Sequence, residues 1–474
     1  MKLSKKHVAE RKFDTMSLSP TLSICMIVKN EAAILGRCLK SIVAAADEIV
    51  VVDTGSTDDT IVIARSFGAK VIEEPWRNDF SFARNISLQY ATSSWILWLD
   101  ADDVVPESSC EKIRVLKSGV PDKVYGFTIR NQRPGNTGTE FVQARMFPNN
   151  PAIRFERKIH EQMMPDALRI GLKMQKIDIV IEHHGYAAPE VLKLKASRNL
   201  QLLLDEYKAH GPDAVTALEI GDSYQLTGLD DEAYRWYYTT IEIPGCVSSA
   251  PALAGQAYLG LGTIANRKGM HQDAIQYLDK AFQCSPWRPD IHYGLAVAHE
   301  MEGNRSTAIE YLRKLQQLKE EPGQVGVDFR GSKLKGYLRL IRLFAESDML
   351  KEAFAVTGEA LEVFPQRAEL HLLYGKLLLK TKKLIDSLHT FEKSISLNRE
   401  ENLDSFIGLC IIYRVAGAGA RVGETLQAIE PLFGNRDKYK AFRVFFAEYP
   451  CSEEVREHLA EEYQNIRKEF FQAF

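Results

Sequence analysis

Three carboxylates follow an apolar run in the N-terminal half of the chain. Trp95–Leu99 is entirely apolar, and Asp100, Asp102 and Asp103 come directly after it. Like charges this close repel one another, so the end of a buried strand is a costly place for them unless they share a cation. Mg²⁺ or Mn²⁺ commonly bridges a few carboxylates to a substrate phosphate. The pattern leaves two alternatives: a metal-dependent phosphate site, or a solvated acidic turn in which Asp103 caps the next helix.

Another carboxylate occupies the corresponding place one unit earlier. Asp53 ends the apolar run 48–52 and begins the turn-forming stretch 53–59. A carboxylate in this position can accept hydrogen bonds from a nucleobase N–H or from ribose hydroxyls, although Asp is also common in turns for structural reasons alone. The sequence has neither a Gly-x-Gly-x-x-Gly motif nor a phosphate loop ending in Gly-Lys-Ser/Thr. Their absence argues against dinucleotide dehydrogenases and P-loop NTPases.

The elements that position these residues alternate between strands and helices. Apolar runs predict strands at Leu22–Val28, 48–52, Lys70–Glu73 and Trp95–Leu99, with helices over 31–45, 60–67 and 82–91 between them. This alternation indicates βαβ units and a mostly parallel sheet. Further strands are predicted at Val124–Asn131, 140–146, 153–155 and 174–182. They suggest a partly antiparallel extension of the same sheet.

From about residue 190 onward the hydrophobic pattern is helical and repetitive. The pairs that lie 34 residues apart are Gly269 and Gly303, Ala274 and Ala308, Tyr277 and Tyr311, Ala353 and Ser387, and Leu361 and Ile395. This period, with a small residue after a glycine turn and an aromatic residue three positions later, is typical of tetratricopeptide repeats. An earlier copy begins at Gly228, Ala233 and Trp236–Tyr237, displaced by the insert 244–251. The alternative is a generic helical bundle with accidental spacing.

Length and charge limit the class of protein. At 474 residues the chain is longer than one core usually organises, so at least two domains are expected. A hydrophobic fraction of 45% excludes a mostly disordered chain. With 60 Lys and Arg against 63 Asp and Glu, there is no basic excess to indicate nucleic acid or an anionic membrane as a partner.

The cellular compartment is predicted from three features that the sequence lacks. No run of about 18 apolar residues could span a bilayer, and the basic first twenty residues lack the apolar region of a signal peptide. Seven cysteines without a Cys-x-x-Cys pair suggest neither a zinc site nor a disulfide framework. We therefore predict a flexible basic tail over 1–20 and a cytoplasmic location without a transmembrane segment.

Four motifs in the N-terminal half carry a family resemblance. They are Ile24–Glu31, Val51–Asp58, Asn78–Asn85 and Leu99–Asp102. Together they resemble family 2 glycosyltransferases with the GT-A fold. The stretches Arg145–Phe147, Arg154–Glu161 and His183–Tyr186 narrow the resemblance to the branch that includes the sublancin-type peptide S-glycosyltransferases and related enzymes linked to tetratricopeptide repeats.

The resemblance implies a binding site for a nucleotide-sugar donor. Glu31 and Asp53 would hold the uridine of a UDP-sugar, and Arg84 would steady its ribose or diphosphate, with Asn85 nearby. Asp100 and Asp102 would form the Asp-x-Asp (DXD) motif that such enzymes use.

The resemblance also implies the metal and the catalytic residue. Asp102 would bind Mn²⁺ or Mg²⁺ directly, and His183 would complete the metal shell, although the adjacent His184 could serve instead. Glu161 would be the general base. Chemistry agrees, because transfer to a hydroxyl or thiol needs a base for its proton and a cation for the departing diphosphate.

These observations predict an α/β GT-A domain, with a Rossmann-like nucleotide-sugar site on a mixed sheet, over 21–212. An all-α tetratricopeptide-like solenoid would follow over 213–474. The predicted function is metal-dependent, inverting transfer of a UDP-hexose or UDP-N-acetylhexosamine sugar to a peptide or protein side chain. The alternatives are a hexosyltransferase of lipopolysaccharide core or another surface glycan, and a non-catalytic scaffold. The helical repeats could dock the acceptor or a partner, or could form a homodimer.

Overall fold

The computed structural model describes residues 20–131, 138–185, 189–320 and 326–446, except for the side chains at 189–195, 441 and 444–446. The predicted tail before residue 20, Tyr186 and residues 447–474 lie outside these ranges. The described chain divides into two compact units, of which the first contains 20–131 and 141–185 and the second contains 138–140, 189–320 and 326–446. The helix Pro189–His210 lies within the second unit. The predicted boundary between 212 and 213 stays a prediction.

The first unit is built on one eight-stranded mixed sheet. In chain order, strands β1 to β8 are Leu22–Val28, Glu48–Asp53, Lys70–Glu73, Trp95–Leu99, Asp103–Val104, Val124–Asn131, Glu140–Pro148 and Met174–His183. Their order across the sheet is β3-β2-β1-β4-β7-β6-β8-β5. The β3-β2-β1-β4 half is parallel, whereas β4 with β7 and β5 with β8 pair antiparallel. Both the α/β fold and its partly antiparallel extension are thus confirmed.

Helices pack against this sheet through their apolar faces. Helices α1 to α5 are Ala32–Ile42, Thr60–Ser66, Phe80–Tyr90, Glu107–Leu116 and Met164–Arg169. Helix α1 buries Leu35, Leu39 and Ile42 in the core formed with β1 and β4. Helix α3 begins at residue 80, two residues earlier than predicted, because Asp79 Oδ1 accepts the Phe82 N–H at 2.8 Å and caps the helix.

The predicted strand at 153–155 is wrong. Ile153 and Phe155 are buried as predicted, but the backbone N–H groups of Arg154 and Phe155 donate to the side chains of Asp166 and Asn85, both at 2.9 Å. Side-chain acceptors therefore replace a neighbouring strand. Conversely, β5 was not predicted, because two residues are too short to show a period-2 pattern.

From residue 189 onward, the regular elements of the second unit's described residues are all helices. Helices α6 to α20 are Pro189–His210, Ala214–Thr227, Asp230–Glu242, Cys246–Ser249, Pro251–Arg267, His271–Cys284, Pro289–Met301, Arg305–Gln317, Phe329–Glu346, Leu350–Val363, Ala368–Lys380, Leu384–Leu397, Leu403–Val415, Gly419–Phe433 and Asp437–Phe446. Within the described ranges, every helix is too short or too polar to cross a bilayer.

The positions that repeat every 34 residues are the ones that let helices approach. Ala274, Ala308, Ala353 and Ser387 are fully buried in the hairpins. Farther along, Gly375 and Gly408 both pack against the ring of Phe391, and a Cβ at either glycine would overlap that ring. Close packing of neighbouring hairpins is what a solenoid needs, and the predicted helical repeat is confirmed.

Two turns in the described part of the array place a residue other than glycine in the left-handed region, Asp348 and Lys382, and aspartate tolerates that conformation better. Lys382 has a φ of 63°, whereas the corresponding turns at Gly269 and Gly303 have glycine at 74° and 81°. A side chain in this left-handed region costs roughly 1–2 kcal/mol, which a glycine would avoid. Glycine also increases the entropy of the unfolded chain, which offsets part of the stabilisation. We expect Lys382→Gly to raise the free energy of unfolding by about 0.5–1 kcal/mol.

The measurement is the urea midpoint followed by circular dichroism. Lys382→Ala is the matched control, because it removes the same exposed side chain but keeps the Cβ. It should show no gain, and equal midpoints for the two variants would contradict the explanation.

Candidate active site

The order of the sheet opens a crevice at one of its edges. β1 lies between β2 and β4. The chain continues from β1 to β2 in one direction along the strand order, and from β4 to β5 in the other. Ligands of open α/β sheets bind beyond the carboxyl ends of the strands at such a reversal. With strands about 4.8 Å apart, the ends of β2 and β4 lie roughly 10 Å from each other. Asp53 and Asp100, predicted separately, therefore sit on the same edge.

Asp53 has, at the end of β2, a buried acceptor atom without a partner in the described part of the chain. Its carboxylate is almost completely buried, and Oδ1 accepts the backbone N–H groups of Gly55 and Ser56, both at 2.9 Å. Oδ2 is buried and has no hydrogen-bond partner among the described residues. Because an unpaired buried carboxylate oxygen is costly, this atom points to a ligand N–H or O–H.

The loops beyond β1 and β2 are tied together. Asn30 Oδ1 accepts the Thr57 N–H at 2.7 Å, and its own N–H donates to Ser56 Oγ at 2.9 Å. The Glu31 N–H donates to Thr60 Oγ1 at 2.8 Å. The predicted uridine-binding residues thus stand on one hydrogen-bonded frame, which fixes their positions before a ligand arrives.

Four side chains form what we call the acid cluster: Asp100, Asp102, Asp103 and His183. One potential ligand atom from each lies within 4.8 Å of the others. A Cβ placed on Gly185 would overlap Asp102 Oδ2 and come within 2.9 Å of His183 Nε2. Two metal-type donor atoms therefore converge beside a glycine that leaves them room. Carboxylate oxygens and an imidazole nitrogen suit a divalent cation such as Mn²⁺.

The structure distinguishes the two adjacent histidines. His183 ends β8 opposite Asp103, and its Nδ1 lies 2.9 Å from Asp103 Oδ1. Burial alone would lower the pKa of His183, but this hydrogen bond and the surrounding carboxylates raise it above its ordinary value. The His184 imidazole instead lies 3.7 Å from Glu182. Only the first of the two histidines thus enters the acid cluster.

Arg84 joins the acid cluster to the predicted base. It is buried, and its Nη2 lies 2.7 Å from Asp100 Oδ1 while its Nε lies 2.5 Å from Glu161 Oε1. Burial alone would raise the pKa of Asp100, but the charges of Arg84 and Arg145 hold it well below its usual range. Arg84 Nη1 is buried and has no hydrogen-bond partner among the described residues, so the N–H groups of this nitrogen remain for a ligand.

A hairpin presents Glu161 to this arginine. The backbones of Glu156 and Gln162 exchange hydrogen bonds of 2.9 and 3.1 Å and close the turn between them. The Phe80 N–H at the start of α3 donates to the Lys158 carbonyl at 2.8 Å. Since Arg84 also lies on α3, one helix holds both the predicted base and its partner.

Asn85 has a structural role, which its two hydrogen bonds to the backbone define. Its Nδ2 donates to the Phe155 carbonyl, and its Oδ1 accepts the Phe155 N–H, both at 2.9 Å. This amide therefore fastens the segment that leads to Glu161. Its predicted contribution to donor binding stays a prediction.

Sequence reasoning gave no role to two residues that the structure places here. Arg145 Nη1 lies 2.9 Å from Asp103 Oδ2, and its guanidinium lies 3.8 Å from the centroid of the Trp98 ring. Arg84 lies 4.1 Å from the same ring. The available signals were the position of Trp98 two residues before Asp100, on the same strand face, and an arginine beginning a recognised motif.

Asp103 caps no helix, because α4 starts after Pro106 without a side-chain cap.

Two parts of the chain match known protein families. The family model described as glycosyl transferase family 2 matches residues 23–175, and one described as tetratricopeptide repeat matches residues 265–322. The chain therefore contains a family 2 glycosyltransferase domain and tetratricopeptide repeats, which confirms the resemblance carried by the motifs.

Several curated proteins share part of this organisation. A TPR repeat-containing protein of Synechococcus elongatus is 31% identical over 55% of this chain and 66% of its own length. The SPbeta prophage-derived glycosyltransferase SunS of Bacillus subtilis is 31% identical over 47% of this chain and 54% of its own length, which is consistent with the predicted branch. The chain thus spans less than two thirds of the length of these relatives.

Solved structures give a weaker likeness. YrrB, described as a TPR protein with an unusual peptide-binding site, matches 42% of this chain and 93% of its own at 17% identity, with a TM-score of 0.32. A likeness of that size adds nothing to the fold described above.

Proposed function

We propose that this chain is a metal-dependent, inverting glycosyltransferase that uses a UDP-hexose or UDP-N-acetylhexosamine and modifies a peptide or protein side chain. The observation that carries the proposal is the convergence of Asp102 Oδ2 and His183 Nε2 beside Gly185. This convergence lies next to Asp100, to which Arg84 reaches from α3.

The donor would lie along the sheet edge at which β2 and β4 end. Asp53 Oδ2, which has no partner among the described residues, would accept a uracil N–H or a ribose hydroxyl. The remaining N–H of Arg84 would donate to the ribose or diphosphate. Glu31, fixed at the start of α1, would complete the uridine contacts. These roles use polar atoms that the fold has already buried and oriented.

Charge balance supports a divalent cation. The three carboxylates of the acid cluster and Glu161 face two guanidinium groups, those of Arg84 and Arg145. With His183 neutral, as a metal ligand must be, this leaves an excess of two negative charges. When bound, Mn²⁺ or Mg²⁺ would stabilise the negative charge of the departing diphosphate. Asp102 and His183 would be its ligands, and Asp100 would act from its ion pairs with the two arginines.

Glu161 would remove the acceptor proton. Only 12% of its side chain is exposed, and Arg84 Nε fixes the direction of its carboxylate. The acceptor oxygen or sulfur would attack the anomeric carbon opposite the diphosphate while Glu161 takes the proton, and UDP would leave with the electron pair of the broken bond. An oriented base of this kind contributes typically 10²–10⁴-fold.

The repeats would supply the acceptor side. Helical repeat arrays present extended surfaces that commonly bind peptides or proteins, which favours a protein acceptor over a surface glycan. Self-association of the array is the competing use of the same helices. Incubating the full chain with peptide libraries and with glycan acceptors would separate the two acceptor classes.

A screen of UDP-sugars for slow hydrolysis tests the proposed activity without knowledge of the acceptor. We expect one or more UDP-sugars to release UDP in Mn²⁺ but not after chelation, with water as the acceptor. A chain that neither binds nor hydrolyses any UDP-sugar in Mn²⁺ would be a scaffold, and the proposal would fail.

A further inference from the structure

An ion pair lies buried directly behind the acid cluster. Asp103 is fully buried, Arg145 is 2% exposed, and Arg145 Nη1 lies 2.9 Å from Asp103 Oδ2. Unlike Asp53 and Arg84, neither side chain has a buried polar atom without a partner, so neither has an atom left for a substrate. A buried ion pair is also weak evidence for stability, because apolar residues of similar size often do as well. Its position beside the reactive groups therefore calls for another reason.

Asp103 holds three groups with its two oxygens. Oδ1 lies 2.9 Å from His183 Nδ1, and Oδ2 accepts the Asp100 backbone N–H at 2.9 Å as well as Arg145. An imidazole that donates from Nδ1 presents the lone pair of Nε2 outward. His183 Nε2 is the atom that converges with Asp102 Oδ2. One carboxylate therefore orients the histidine and fixes the start of the acidic loop.

Arg145 supports the same loop from the other side. Its Nη1 also donates to the Trp98 carbonyl at 3.3 Å, and its Nη2 lies 3.7 Å from Asp100 Oδ2. Its Nε donates to Gln143 at 3.0 Å, so the guanidinium is held on both sides. Loss of this group would free the end of β4 and leave the charge of Asp103 buried without its partner.

We infer that Asp103 and Arg145 are positioning residues, which hold His183 and the Asp100–Asp102 loop in the arrangement that binds a divalent cation with the donor. The inference rests on the metal site of the proposed function. Outer partners of this type typically change metal affinity by about 10–100-fold when they are replaced.

The test titrates Mn²⁺ into the full chain and follows the bound ion by electron paramagnetic resonance. Asp103→Asn removes the charge at nearly constant shape. The double variant Asp103→Leu with Arg145→Met removes the whole ion pair and leaves no unpaired buried charge, so it guards against failure to fold. Asp178→Asn is the control, because it removes a carboxylate from an exposed ion pair with Lys112 elsewhere in the same unit.

Coupling of the bound Mn²⁺ to a nitrogen nucleus reports the imidazole ligand directly. Wild type and Asp178→Asn should show this coupling. Asp103→Asn and the double variant should lose it and should bind Mn²⁺ about 10–100-fold more weakly. Thermal unfolding of the double variant should remain cooperative, although it loses the hydrogen bonds to the Asp100 N–H and the Trp98 carbonyl. A purely structural role of the pair would not predict loss of the nitrogen coupling in a variant that is still folded.

Two failures can be told apart. If wild type binds no Mn²⁺, or if Asp102→Ala leaves its affinity unchanged, the proposed metal site is wrong and the inference falls with it. If wild type binds Mn²⁺ through Asp102 but the folded double variant keeps both the affinity and the nitrogen coupling, only the positioning inference is overturned.

Discussion

Glu161→Gln should slow transfer to a hydroxyl acceptor by roughly 10²–10⁴-fold while leaving UDP affinity unchanged. The amide keeps an oxygen that can accept from Arg84, as Glu161 Oε1 does at 2.5 Å, so the side chain should stay in place. It cannot take a proton from the acceptor. The effect can be measured as the single-turnover rate of UDP-sugar hydrolysis, in which water is the acceptor.

The control for this variant lies on the same hairpin. Glu156 pairs with Arg169 at the surface, and Glu156→Gln should leave the rate as it is. A thiol acceptor would weaken the dependence on Glu161, because a thiol with a pKa near ~8.5 is already partly ionised at neutral pH. Hydrolysis at close to the wild-type rate by folded Glu161→Gln would exclude the role of general base.

Asp102→Ala should abolish the dependence of UDP binding on Mn²⁺. Asp102 supplies one of the two atoms that converge beside Gly185, and its side chain is 16% exposed, so its loss removes a ligand without opening the core. Stabilisation of a diphosphate by a bound cation is worth several kcal/mol. Calorimetric titration of UDP should therefore give similar weak affinities in Mn²⁺ and in chelator.

Asp59→Ala provides the matched comparison, since Asp59 is an exposed carboxylate in the loop after β2 and caps nothing with its side chain. It should bind UDP in Mn²⁺ as wild type does. If Asp102→Ala retains wild-type UDP affinity in Mn²⁺, the assignment of this residue as a metal ligand is wrong.

The parallel half of the sheet was readable from sequence for a physical reason. β1, β3 and β4 begin and end at the predicted residues. β1 and β4 are short, mostly apolar runs, and the shorter β3 has two apolar residues between Lys70 and Glu73. Since parallel strands end on one edge, knowing where β2 and β4 stop was enough to bring Asp53 and Asp100 together. The helical repeats were equally readable, since each contact of a repeat lies within itself or its neighbour.

The antiparallel half was harder because its contacts are not local. The register that pairs Leu97 with Met146 brings Arg145 to Trp98, and no pattern in either segment specifies that register. The pairing of Asp103 with His183 likewise depends on β5, which has two residues. The sequence therefore pointed to the ligands of the acid cluster but not to the residues that orient them.

The most direct test of the account is a crystal structure of the chain with UDP and Mn²⁺, using the anomalous scattering of manganese. We expect one strong peak in contact with Asp102 and His183 and with the UDP diphosphate, and the uridine against Asp53. A structure with UDP bound but with manganese absent from the acid cluster, or bound elsewhere in the chain, would contradict the account.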